Sequence, residues 1–127
     1  MQEHHLFEYA VIRAVPRVER EEFLNIGVIL YCPKLKFLQC IYTIDHERLQ
    51  AFCKQLDVAD LTSNMHAFEQ ICCGTAQGGP IGKLDAASRF RWLTATRSTV
   101  VQASKVHPGF STDPLATLAR LHAQLVL

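Results

Sequence analysis

The side chains best suited to binding a negatively charged group are concentrated between residues 89 and 107. Arginine forks match phosphate and carboxylate, hydroxyls add hydrogen bonds, and a tryptophan offers a stacking surface. No acidic residue that could act as a general base lies in this segment, so it suits binding better than catalysis. Alternatively, the tryptophan belongs to the core and the arginines form a solvated face. The candidate ligand-binding residues are Arg89, Trp92, Arg97, Ser98, Thr99 and His107.

A further candidate, Arg13, lies inside an apolar segment. Strict alternation along a strand places its side chain on the same face as Tyr9 and Val11. A guanidinium on an apolar face is costly unless a carboxylate or a bound anion compensates it. Glu21 or Glu22 could supply the carboxylate in a structural ion pair, whereas a bound anion would make Arg13 a ligand-binding residue.

Motifs for nucleotide, metal and thiol chemistry are incomplete. A phosphate-binding loop at 78–83 would need a glycine and a hydroxyl where Gln77 and Leu84 stand. The six histidines lack metal-ligand spacing, and His122 is predicted to be a hydrogen-bonded core residue of the last helix. The five cysteines include no Cys-x-x-Cys pair and are expected to be reduced and mostly buried. We therefore expect no catalytic residue, no metal and no cofactor.

Length and composition predict a single globular domain over residues 1–127, with 49% hydrophobic and 20% charged residues. The net charge of +1 conceals an asymmetry, because residues 1–73 carry about −3 and residues 74–127 about +4. This split could orient one face toward an anionic partner, or it could reflect a basic sheet edge. The chain begins without a signal-peptide pattern and has no apolar stretch of membrane-spanning length, so we expect a cytoplasmic protein.

Three β-rich segments precede the helical part of the chain, at residues 7–15, 24–31 and 37–44. Short connectors predict an antiparallel meander. Apolar residues with helical spacing then predict a helix over 46–56 and a second helix from an Asp60 cap to Gly74.

The remaining segments are predicted to be an irregular loop at 74–83, a short helix at 85–93 and a strand at 98–104, followed by an interruption of regular structure at Pro108-Gly109. A final helix should begin at Asp113 and run to the C-terminus. The predicted fold class is α+β, with an antiparallel β-sheet of about four strands, a meander at the N-terminus, packed on one side against three or four helices.

Four ordered motifs carry a resemblance to a known family. They are Tyr9-x-x-x-Arg13-x-x-Pro16, Glu22-x-x-Asn25-x-Gly27-Val28, Arg89-Phe90-x-Trp92-Leu93 and Arg97-Ser98-Thr99. Together they resemble the bacterial domain-of-unknown-function family 3037 over nearly the whole chain. The resemblance implies a compact bacterial protein, often encoded beside a kinase-like gene of the HipA type, and hence an accessory or regulator. It assigns no activity, and the motif residues carry over only as a signature.

Two functions are compatible with these observations. The first is a non-enzymatic accessory or regulatory interaction module, with the kinase-like protein as partner, that binds through the surface between Arg89 and His107. The alternative is a binding domain for a phosphorylated small molecule or nucleic acid, in which Trp92 stacks and the donors are Arg13, Arg89, Arg97 and His107. A third hypothesis is an enzyme of nuclease or transferase type, but the lack of a carboxylate cluster argues against metal-assisted hydrolysis. Convergence of Arg13 and Arg97 in one pocket would favour ligand binding.

Overall fold

A computed structural model describes residues 3–97 and 99–127. The described residues form an α+β fold around one five-stranded antiparallel sheet, which confirms the predicted fold class and the N-terminal meander. The strands are β1 (His5–Ala14), β2 (Leu24–Cys32), β3 (Phe37–Tyr42), β4 (Val101–Ala103) and β5 (His107–Ser111). The meander runs in the order β3, β2, β1, and the other edge of β1 pairs with β4 near its end and with β5 near its start.

Aspartates cap the N-termini of four of the helices. Each accepts a hydrogen bond from the backbone N–H three residues later, which satisfies a donor that the helix itself cannot pair. The cap of the second helix is Asp57 rather than the predicted Asp60, because Asp60 is the residue whose N–H donates to Asp57. The helices are α1 (His46–Phe52), α2 (Val58–Cys73), α3 (Gly79–Gly82), α4 (Ala86–Thr94) and α5 (Pro114–Leu125). Within the described ranges, none of them combines the length and apolar character that crossing a membrane requires.

Helices cover both faces of the sheet, not one face as predicted. Ile12 and Ile29 pack with residues of α2 and α4 on one face. Val28 and Leu30 pack with Leu118 of α5 on the other. Because β2 is apolar on both sides, a single layer of helices would leave half of its side chains in water.

Residues 108–109, predicted to interrupt regular structure, are instead part of the edge strand β5. Pro108 is tolerated because an edge strand need not donate on its outer side. Gly109 is required by packing, since a Cβ there would lie 2.5 Å from Cζ of Phe7. The predicted loop at 74–83 was also only partly right, because it contains a 3₁₀ turn at Ala76–Gly78 followed by α3.

Candidate functional site

Three of the predicted site residues line a groove between α2 and α4, which we name the α2–α4 groove. Its volume is about 150 Å³. One wall comes from α2, the other from α4 and from the segment that leads into β4. The residues that define it are Asn64, Phe68, Ile71, Trp92, Arg97 and Thr99.

Trp92 and Arg97 form a stacked pair in this groove. Phe90 and Leu93 form the buried face of α4. Trp92 lies on the flank of the helix, with 39% of its surface exposed. The guanidinium carbon of Arg97 lies 3.7 Å from the centroid of the Trp92 ring, in cation–π geometry. Desolvation lowers the pKa of Arg97, and no described carboxylate lies within ion-pair distance of it. The cation is therefore stacked on Trp92 but not neutralised.

Thr99 and Ser98 complete the predicted Arg-Ser-Thr motif. The Thr99 hydroxyl donates to the carbonyl of Val101 at 2.6 Å, so it shapes the turn before β4. Ser98, which was predicted to bind ligand and to begin a strand, lies outside the described residues.

Arg89 does not join the groove, because its guanidinium lies against the end of α2. Nη1 donates to the carbonyl of Leu84 at 2.8 Å. A Cβ on Gly74, the residue that ends α2 at φ 68°, would lie 3.0 Å from Nη1. A cation is favoured at a helix C-terminus, where carbonyls lack intrahelical partners. Arg89 therefore has a local structural role, although its buried Nε has no hydrogen-bond partner.

Arg13 occupies a different pocket from Arg97. Its guanidinium carbon lies 3.9 Å from the centroid of the Phe23 ring, and its Nε is buried without a hydrogen-bond partner. The expected ion pair with Glu21 or Glu22 is absent from the described structure, since Glu22 pairs with Arg20 instead. We name this depression the Arg13 pocket. It has a volume of about 390 Å³ and is lined by Arg13, Val15, Val18, Glu21, Glu22, Phe23 and Gln102.

Arg13 and Arg97 lie on opposite faces of the sheet. Arg13 alternates with Ile12 and Ala14, which belong to the cluster under α2 and α4, so its side chain is on the α5 face. Arg97 instead lines the groove beside α2. The convergence that would join all the predicted arginines in one anion site does not occur.

His107 lies at a third location, opposite Tyr9 in the pairing of β5 with β1. The two rings are 5.3 Å apart at an interplanar angle of 36°, a tilted stacking contact. His107 is exposed, but it shares neither the α2–α4 groove nor the Arg13 pocket.

Several polar residues outside the α2–α4 groove and the Arg13 pocket attach α5 to the rest of the fold. Asn25 Nδ2 donates to the carbonyl of Leu125 at 3.1 Å, and Arg48 donates to the carbonyl of Val126, so both satisfy the C-terminal end of α5. His122 of α5 is hydrogen-bonded to Thr43 at 2.9 Å, which agrees with its prediction as a satisfied histidine.

Gly27 is explained by the close approach of β3. A Cβ at this position would lie 2.7 Å from the Cβ of Tyr42 and 2.8 Å from the carbonyl oxygen of Ile41. The tyrosine itself reaches α2, where its hydroxyl donates to Glu69 at 3.0 Å. Glycine is therefore needed so that β2 and β3 can approach each other.

All five cysteines are free, and they differ in burial. Cys32 and Cys72 are buried, Cys40 and Cys53 are partly buried, and Cys73 is exposed. A hydrogen bond to Cys40, together with burial, raises the pKa of Cys72, which disfavours the thiolate. Within residues 3–97 and 99–127, no group of three or more His, Cys, Asp or Glu side chains could hold a metal ion.

Comparison with known proteins gives one match. A family model described as "Protein of unknown function (DUF3037)" matches residues 9–126. No curated protein and no solved structure matches the chain.

Proposed function

The chain belongs to the DUF3037 family, whose description names no activity, and we propose that it is a small non-enzymatic interaction module that binds a partner protein through the α2–α4 groove. The observation that carries this proposal is the exposed Trp92 ring with Arg97 stacked on it. Tryptophan and arginine are the residue types most enriched among those that dominate binding energy at protein interfaces.

The groove combines an apolar floor with a single uncompensated cation. Phe68 and Ile71 of α2 contribute the apolar surface beside Trp92. Arg97 contributes a partly desolvated guanidinium with no described carboxylate near it. A complementary partner segment carries an aliphatic or aromatic side chain next to an aspartate or glutamate. Such a carboxylate would gain a charge-assisted hydrogen bond from Arg97.

The chemistry of the exposed groups supports binding rather than catalysis. A guanidinium keeps its proton at physiological pH, and an indole N–H is a donor only. Neither Arg97 nor Trp92 can therefore act as a general base or a nucleophile near neutral pH.

The proposal identifies the partner as the kinase-like protein that the family resemblance implies, which would make this chain its accessory or regulator. It also places the protein in the bacterial cytoplasm, a reducing compartment in which its free thiols would be maintained.

Co-expression with the kinase-like neighbour tests the proposal directly. The wild-type chain should co-purify with it, and Trp92→Ala and Arg97→Glu should each weaken the complex at least about tenfold. Arg17→Glu is the matched control, because Arg17 is exposed, is paired with Glu19 and lies outside the groove. Failure of the two proteins to associate, or association that Trp92→Ala and Arg97→Glu leave unchanged, would contradict the proposal.

A titration with oligonucleotides distinguishes the alternative function, nucleotide or nucleic-acid binding, from protein binding. A base could stack on Trp92 while its phosphate meets Arg97, so the same groove suits a nucleotide or single-stranded nucleic acid. Addition of oligonucleotides should leave the fluorescence of Trp92 unchanged if the partner is a protein. A saturable change that Arg97→Glu abolishes would favour the alternative.

A further inference from the structure

The Arg13 pocket contains a cation that the protein itself does not neutralise. The guanidinium of Arg13 packs over Phe23, and its Nε is buried without a hydrogen-bond partner. No carboxylate among the described residues lies within 4 Å of it. Burial of an unsatisfied charged donor is unfavourable, so a bound anion would stabilise this arrangement.

The same pocket also contains an anion without a cation. Two glutamates follow each other here, and Glu22 is engaged by Arg20. Glu21 lines the pocket, makes no ion pair with a described residue, and has a left-handed backbone at φ 54°. This conformation ends the 3₁₀ turn at Val18–Arg20, where the backbone N–H of Glu21 donates to the carbonyl of Val18 at 3.1 Å. Arg13 and Glu21 thus line one pocket without contacting each other.

Three apolar side chains, together with Glu22 and Gln102, form the remaining walls of the pocket. Val15 is buried, whereas Val18 and Phe23 have 40% and 43% of their surfaces exposed. The volume of about 390 Å³ is in the range of small-molecule sites. The pocket therefore combines a positive group, a negative group and an apolar surface of small-molecule size.

We propose that the Arg13 pocket binds a small zwitterion of the α-amino-acid type with an apolar side chain. Arg13 holds the carboxylate of the ligand, Glu21 holds its ammonium group, and Phe23 and Val18 contact its side chain. An anion alone would meet the repulsion of Glu21, and a cation alone would meet that of Arg13. This site is separate from the α2–α4 groove, and the inference does not depend on the proposed function.

Calorimetric titration of the full chain with leucine, phenylalanine and methionine tests the inference. At least one of the three amino acids should bind with a dissociation constant in the millimolar range or below. The analogue that lacks its ammonium group and the analogue that lacks its carboxylate should each bind about tenfold more weakly or worse. Equal affinity for the amino acid and its ammonium-free analogue, or no binding by any of the three, would overturn the proposal.

Variants of Arg13 and Glu21 then test which group of the ligand each of these residues binds. Arg13→Met should abolish amino-acid binding, and Arg13→Lys should weaken it, because lysine keeps the charge but loses the planar fork. Glu21→Gln should reduce the affinity for the amino acid to that of its ammonium-free analogue. Arg17→Met is the matched control and should bind as the wild type does, as should Trp92→Ala in the other site. Unchanged binding by both Arg13 variants would refute the assignment.

Discussion

The guanidinium of Arg97 lies 3.7 Å from the centre of the Trp92 ring, although Trp92 belongs to α4 and Arg97 follows the end of that helix. This stacking contact holds the segment after α4 against the helix. It also places a cation beside the apolar floor of the α2–α4 groove. An exposed cation–π pair contributes about 0.5–1 kcal/mol. Its position therefore matters more for recognition than for stability.

Arg97→Met should change the environment of Trp92 while leaving the fold intact. Trp92 is the only tryptophan in the sequence, so tryptophan fluorescence, excited selectively over that of tyrosine, reports on the groove alone. We expect quenching by acrylamide to increase, and the free energy of unfolding to change by no more than about 1 kcal/mol. Arg91→Met, which alters an exposed arginine of the same helix outside the groove, is the control. Identical quenching in both variants would contradict the stacking model.

Gly27→Ala should destabilise the protein by about 2–3 kcal/mol, because the new methyl group would overlap the backbone of β3. Urea denaturation measures this change. Tyr42→Phe alters the facing side chain without moving its Cβ and should cost only about 1 kcal/mol, the value of the lost hydrogen bond to Glu69. If Gly27→Ala is tolerated as well as Tyr42→Phe, the explanation from close strand approach is wrong.

Asn25→Ala should loosen the end of α5. The variant loses the hydrogen bond from Asn25 to the carbonyl of Leu125, which should cost about 1–2 kcal/mol. Hydrogen exchange should accelerate most near the C-terminal end of the helix. Asn64→Ala is the control, since that exposed asparagine bonds only within α2 and alanine is a better helix former. Faster exchange spread evenly over the chain would argue against a local clamp.

Tyr42 should ionise late in an alkaline titration. Burial, followed by the hydrogen bond to Glu69, raises the pKa of Tyr42 from 10.0 to about 12. Between these two pH values the unfolded chain releases a proton that the folded protein retains. The contribution of Tyr42 to stability is therefore complete below pH about 10 and declines as the pH rises toward about 12.

Ultraviolet absorbance of tyrosinate checks this prediction. Tyr42→Phe should remove the late phase, and Glu69→Gln should move it to lower pH, because the carboxylate charge is lost. A late phase that survives in Tyr42→Phe would assign it to a different residue.

Local features were largely predictable from the sequence, because their causes lie within a few residues of chain. Segments rich in β-branched and aromatic residues predicted the three strands of the meander, and Asp113 followed by Pro114 predicted the start of α5. Even the misplaced cap of α2 was wrong by less than one helical turn, since Asp57 and Asp60 both precede the same apolar stripe.

Tertiary structure alone decided which side chains meet. Pro108 and Gly109 predicted an interruption of regular structure, but in the folded chain they belong to β5, which pairs with the first half of β1. Arg13 and Arg97 resemble one anion site until α5 and α2 are found on opposite faces of the sheet. The sequence by itself determined the three meander strands and most of the helices, because short-range sterics and capping set them. Strand pairing joins residues as distant as His5 and Ser111, and the pocket of Arg13 includes Gln102, so no local pattern encodes these contacts.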